Sequence, residues 1–133
     1  MTNVIRGGIY IVKLDPTLGS EIAGERPCIV VQNNLGNESS KTTVVVPVTK
    51  KPPKRDYRFN AVMEPDETGL LLTSTAKCEH MKSVSIEHRI ERKVGQLTSE
   101  VMFRLEEALL YELGIDADYH AGHAGGEIGF DVQ

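Results

Sequence analysis

Long apolar runs, tryptophan and a cysteine framework are all missing from this 133-residue chain. No window approaches the roughly 18 consecutive apolar residues that a membrane-spanning helix needs. The N-terminus, Met1 to Ile5 followed by Arg6, lacks the apolar stretch of a secretion signal. A cytoplasmic location is therefore the expectation. The only two cysteines, Cys28 and Cys78, each sit in or beside an apolar run. In a reducing compartment buried free thiols are expected rather than a disulfide, and two cysteines so far apart make no zinc site. His120 and His123, with Asp118 beside them, have a His-x-x-His spacing, but no metal site is taken from it, and nothing in the sequence calls for a cofactor. There are no internal repeats.

What is present is ordinary for a globular protein: 40% hydrophobic and 26% charged residues, in a length that suits one core and not two. The net charge of −4 looks wrong for a chain that grips a polyanion, so its distribution matters. Residues 1–100 carry 14 Lys+Arg against 12 Asp+Glu, a net +2, while residues 101–133 carry 1 against 7, a net −6. The acidity belongs to the end of the chain and the body is mildly basic. Lys50, Lys51, Lys54, Arg55 and Arg58 form the densest basic run, which by itself reads as a solvated loop.

Residues 8–14 form a β-rich run closed by the turn signal Asp15-Pro16. Residues 15–25, with two glycines and a proline, read as a long mobile loop. Residues 28–32 are nearly all apolar, the pattern of a strand buried on both faces. Residues 33–41 are polar and turn-rich. Residues 42–48 are a second β-branched run, in which Pro47 argues for a strand end or an edge. Further strands are expected at 58–62 and 69–73, then short strands and turns over 76–94. Residues 98–113 read as a helix. Thr98 is placed as N-cap and Gly114 as terminator, with an apolar stripe through Val101, Leu105, Ala108 and Leu109. Residues 117–133 are Gly/Ala/His/Asp-rich and aperiodic, and are expected to be a disordered tail on a domain spanning 1–116. Short strands followed by one helix, without β-α alternation, predict an α+β fold: a small curved β-barrel with a C-terminal helix.

Two stretches are more specific. In the first, Gly24-Glu-Arg-Pro, Arg26 lies at the mouth of a glycine-hinged loop just before a buried strand. Pro27 fixes the backbone and biases Arg26 to an extended conformation. A guanidinium held so on a strand end suits a phosphate; the plainer alternative is an arginine paired with Glu25 or Glu21. In the second, Val46-Pro-Val-Thr49, a hydroxyl ends another core strand beside the basic run; the plainer alternative is a turn residue.

Together these stretches resemble the MazF/PemK family of toxin endoribonucleases. The resemblance runs from Arg6-Gly-Gly-Ile-Tyr and Asp15-Pro-Thr-Leu-Gly-Ser-Glu, through Gly24-Glu-Arg-Pro, Val30-Val-Gln-Asn-Asn34 and Val46-Pro-Val-Thr49, to Gly95-Gln-Leu-Thr98 and the helix ending at Leu113-Gly114. It implies an SH3-like barrel, a homodimer, and metal-independent cleavage of single-stranded RNA at short motifs. It also implies a cognate antitoxin whose acidic, disordered segment covers the same groove. Arg26 and Thr49 fall where the family has its catalytic pair. Glu21, Lys50, Lys51, Lys54, Arg55, Tyr57, His80 and Lys82 are the expected RNA contacts, with Tyr57 or Phe59 available to stack a base. The chain departs from the family around residues 77–84, where many relatives carry glutamine at the His80 position and arginine at the Lys82 position. His80 is either a hydrogen-bonding replacement or an added acid/base group. Two other readings stay open: a non-catalytic toxin on the same barrel that inhibits a protein target such as DNA gyrase, against which the Arg-Pro and strand-end threonine count, and an inactive module that binds RNA or antitoxin.

Overall fold

A computed structural model describes residues 3–116. Its first strand, β1 (Gly8–Lys13), pairs antiparallel with β2 (Glu25–Val30), and β2 pairs with β3 (Thr42–Thr49). β4 (Asn60–Met63), β5 (Ser74–Lys77), β6 (Lys82–Ser85) and β7 (Ile90–Gln96) complete a seven-stranded sheet in the order β4-β5-β3-β2-β1-β7, with β6 on β3. Every pairing is antiparallel. With its C-terminal helix this is the expected α+β, SH3-like barrel.

The near-continuous apolar runs have a simple cause: the middle of the sheet is covered on both faces. Ile9, Ile29 and Val46 face one buried cluster, which Val101, Leu105 and Ala108 of the helix complete. Tyr10, Val12, Cys28, Val30 and Val45 face a second cluster with Val84, Ile86 and Ile90. Side chains alternate between faces along a strand, so β2 and β3 need apolar residues at successive positions. Both cysteines are buried and unbridged, as expected.

The helix, α4 (Ser99–Glu112), is bounded as its sequence foretells. Thr98 accepts a hydrogen bond from the Val101 N–H at 3.3 Å, and Gly114 leaves the helix at φ +71°. Complete burial of Leu105 in its stripe contributes roughly 1.5–3 kcal/mol. Arg6 ties the two ends of the fold together. Its guanidinium donates to the Val31 carbonyl at 2.9 Å and to Glu106 of α4 at 2.7 Å, while its backbone N–H donates to Asn34 at 2.8 Å.

Three expectations need correction. Residues 33–41 hold a short helix, α1 (Asn34–Ser39), rather than only turns. It is organised by polar groups that show no apolar period: Asn33 caps the Gly36 N–H, and buried Asn37 bonds Gln32, Asn34 and Thr43. Residues 69–73 are not a strand. A helical turn, α2 (Pro65–Thr68), ends there at Gly69 (φ +84°), and Leu71 is 94% exposed. Pro47 is neither at a strand end nor at an edge; it falls in the break where β3 changes partners, between β6 on Thr42–Val45 and β5 on Val48–Thr49. A 3-10 turn (Cys78–His80) and a helical turn, α3 (Ile86–Arg89), account for the mixed pattern of 76–94.

Candidate active site

Strand register brings Arg26 and Thr49 to one place. β2 and β3 pair Cys28 with Pro47, Ile29 with Val46 and Val30 with Val45. Carried on by two residues, this register sets Arg26 opposite Thr49. By alternation Arg26 shares the face of Cys28, and Thr49 the face of Pro47. On β6, Lys82 stands opposite Val45, which puts it on that same face. The Cys28 thiol senses both cations: burial pushes it up to about 12, while the charges of Arg26 and Lys82 pull the other way.

Arg26 is half-buried, and its Nε donates to the Ala23 carbonyl at 3.1 Å. Among the described residues no carboxylate forms an ion pair with it, so the pairing with Glu25 or Glu21 is not what the fold builds. Glu21 instead accepts from the Leu18 N–H at 3.0 Å, closing a turn within the 15–24 loop. The Thr49 hydroxyl accepts from the Lys51 N–H at 3.2 Å, which leaves its own proton free to donate.

Beside this pair lies a cavity of about 250 Å³ lined by Glu21, Ile22, Pro47, Glu79, His80, Met81 and Lys82. The cavity gathers three of the residues expected from sequence: Glu21 from the loop, His80 from the 3-10 turn and Lys82 from β6. It also adds Glu79, which sequence reasoning missed although it sits beside His80 between two lysines. Burial raises the Glu79 carboxyl, but hydrogen bonds from its own backbone N–H, Lys77 and Asn60 outweigh that and hold it below the usual range. Asn60 donates to it at 2.8 Å and the Lys77 ammonium lies 3.2 Å away.

The basic run divides. Lys50 and Lys51 follow Thr49 directly and are exposed, as are Lys54 and Arg55, and none of the four forms an ion pair among the described residues. Lys50, Lys51, Lys54, Arg55 and Tyr57 do not line the cavity, and neither do Arg26 and Thr49. Arg58 turns toward α4 and lies over the Tyr111 ring, 4.6 Å from its centroid. Tyr57 and Phe59 stack on each other at 4.8 Å, which occupies one face of each ring. A larger hollow of about 780 Å³, walled in part by Val4, Asn37, Lys41 and His88, contains none of these residues. Among the described residues no three His, Cys, Asp or Glu side chains gather as metal ligands. Asp118, His120 and His123 fall outside those residues, as does the 117–133 tail.

The likeness to known proteins agrees with this architecture. A family model described as PemK-like, MazF-like toxin of type II toxin–antitoxin systems matches residues 5–113. The chain is 30% identical over 112 residues to endoribonuclease EndoA of Bacillus subtilis (strain 168), covering 84% of this chain and 96% of EndoA. It is 34% identical over 115 residues to endoribonuclease MazF9 of Mycobacterium tuberculosis, covering 83% of this chain and 96% of MazF9. Among solved structures, MazF from Deinococcus radiodurans superposes with a TM-score of 0.72 at 18% identity, over 86% of this chain and 100% of that one. An endoribonuclease from mycobacterial species in complex with its cognate antitoxin superposes with a TM-score of 0.70 at 22% identity, over 85% and 97% of the two chains. At those identities the superpositions speak for the fold alone. The family match spans most of the sequence, and by it the chain belongs to the PemK-like, MazF-like toxins of type II toxin–antitoxin systems.

Proposed function

We propose that this chain is a cytoplasmic endoribonuclease toxin that cuts single-stranded RNA at short motifs without a metal ion, with residues 1–116 as the toxin domain and a cognate antitoxin as its inhibitor. The observation that carries this reading is the β2–β3 register, which, carried on two residues past Cys28–Pro47, sets Arg26, in no ion pair among the described residues, opposite Thr49. In the reaction, the ribose 2′-OH attacks its own 3′-phosphate. The bond to the 5′-oxygen of the next nucleotide breaks, leaving a 2′,3′-cyclic phosphate and a 5′-OH. Arg26 meets the charge that grows on the phosphorane oxygens, and its fork donates two parallel hydrogen bonds where an ammonium would offer a point charge. Thr49 hydrogen-bonds a phosphate oxygen or the attacking hydroxyl. A neutral threonine is no strong base, so positioning and electrostatics supply much of the rate.

Lys50, Lys51 and Lys82 border this pair and carry the flanking phosphates, with Lys54 and Arg55 extending the basic track. A splayed base can use the outer face of Tyr57. The same cations are the complement of an acidic, disordered antitoxin segment, which would compete with RNA for them. A homodimer would place two such grooves in one particle.

The test is incubation of purified protein with a long single-stranded RNA in EDTA, beside Arg26→Ala and Thr49→Ala. Cleavage at a recurrent short motif, with 5′-OH ends and lost in both variants, is the expected result. Intact RNA with a folded wild-type protein would overturn the reading; gyrase inhibition or RNA binding without cleavage would then identify a non-catalytic toxin or an inactive module.

A further inference from the structure

The cavity beside the Arg26–Thr49 pair has the wrong charge for a phosphate. Glu21 lines it from the loop and Glu79 from the 3-10 turn, together with His80, Lys82 and Pro47. Phosphates are better served outside it, at Arg26, Lys50 and Lys51, where among the described residues no carboxylate is paired with the cation. At about 250 Å³ the cavity is below the roughly 300–1,000 Å³ of drug-sized sites. That volume suits one flat ring system.

Resting on the ribonuclease reading above, we propose that this cavity is a base-selecting subsite that accepts a base carrying an exocyclic amino group and rejects uracil. An ionised carboxylate only accepts hydrogen bonds. Cytosine offers the N4 amino group, adenine the N6 amino group and guanine the N2 amino group; uracil presents its O4 carbonyl where the first two present their donors. A carboxylate placed to meet that exocyclic donor faces O4 in uracil and is repelled, and uracil can pair with it only by shifting to offer N3–H. Glu79 is the preorganised acceptor. Lys77, Asn60 and its own backbone N–H hold the carboxylate and take three of its roughly four acceptor sites, which leaves one for a base, and it stays ionised at neutral pH. Glu21 is the second acceptor. Its Oε1 is anchored to the Leu18 N–H, its Oε2 is free, and it travels with the glycine-flanked loop, which contributes one wall of the cavity. His80 supplies a ring for stacking or a donor to a ring nitrogen, and Lys82, opposite Val45, meets the phosphate of the same nucleotide.

Two arms test this, one of which needs no cleavage. In the first, fluorescence anisotropy compares binding of labelled hexamers of adenosine, cytidine and uridine to wild type, Glu79→Gln and Glu21→Gln, with circular dichroism reporting the fold. Wild type is expected to bind the adenosine or cytidine hexamer about tenfold more tightly than the uridine one, the scale of a single base-edge contact. The glutamine variants, whose amide can donate to O4, should narrow that gap chiefly by binding uridine better. In the second, the ends of a randomised RNA pool cut by each protein are sequenced. One position near the cut should be depleted of uridine in the wild-type profile and regain it with Glu79→Gln. Discrimination in binding without any cleavage would sink the ribonuclease reading and leave the subsite standing. Equal binding of the hexamers, or uridine preserved at every position near the cut, would overturn the subsite even if the RNA is cleaved. If Glu79→Gln unfolds, Glu21→Gln decides, because its anchoring turn lies outside the core.

Discussion

Arg26 stands opposite Thr49 by the register of β2 and β3, yet each is held from its outer side, Arg26 by β1 against Val12 and Thr49 by β5 against Thr75. Replacing Arg26 by alanine should lower kcat by about 10²-fold, the usual scale for one donor to a developing oxyanion. Arg26→Lys keeps the charge without the fork and should recover little of that loss. Single-turnover cleavage of a defined RNA measures both; full activity in Arg26→Lys would mean that charge alone suffices.

Burial pushes the thiols of both Cys28 and Cys78 up to about 12. Neither should react with Ellman's reagent at pH 8 in the folded protein, and both should react once guanidinium unfolds it, since only the thiolate attacks. Rapid labelling of the native protein would mean that the sheet opens at one of them.

A methyl group added at Gly95 would stand 2.4 Å from the Thr68 carbonyl oxygen, a backbone atom of α2. Gly95→Ala should therefore force β7 and α2 apart and cost about 1–3 kcal/mol, as overpacking does. Urea denaturation measures it, and unchanged stability would show that α2 yields freely.

Glu67 joins α2 to α4. The Arg104 guanidinium, bonded to both its oxygens, holds its carboxyl below the usual range, helped by the Glu64 backbone N–H. A carboxyl lowered by folding adds stability above its unfolded pKa and gives it up as pH falls through the folded one. The Tm gap between wild type and Glu67→Gln should thus be steady above about pH 5 and close below the free glutamate value of about 4.3. A gap that widened in acid would contradict the pairing.

Much of this was legible from residues alone, and the exceptions have physical causes. The runs around Cys28 and Val45 announced buried strands because apolar residues at successive positions make sense only where both faces are covered. Thr98, Val101, Leu105 and Gly114 announced a helix through cap and stripe. α1 escaped because Asn37 and its amide partners, which hold it, carry no hydrophobic period. The Leu70–Leu72 triplet imitated a strand, although the capping box at Glu64 and Glu67 had already committed the chain to a turn. Arg26 and Thr49 could be named singly. That they face each other depends on register, which is written across two strands and not along either.

β3 changes partners at Pro47, from β6 to β5, and the last pair joining it to β2, Cys28 with Pro47, falls at the same place. Arg26 rides with β1 and β2, Thr49 with β5. Both side chains lie past the last pair that joins β2 to β3, so their separation follows how far those two strand ends splay. A partner that wedged this corner open by an ångström or two would disarm chemistry needing both side chains without touching either, a mode of inhibition open to a long flexible segment lying across the fold.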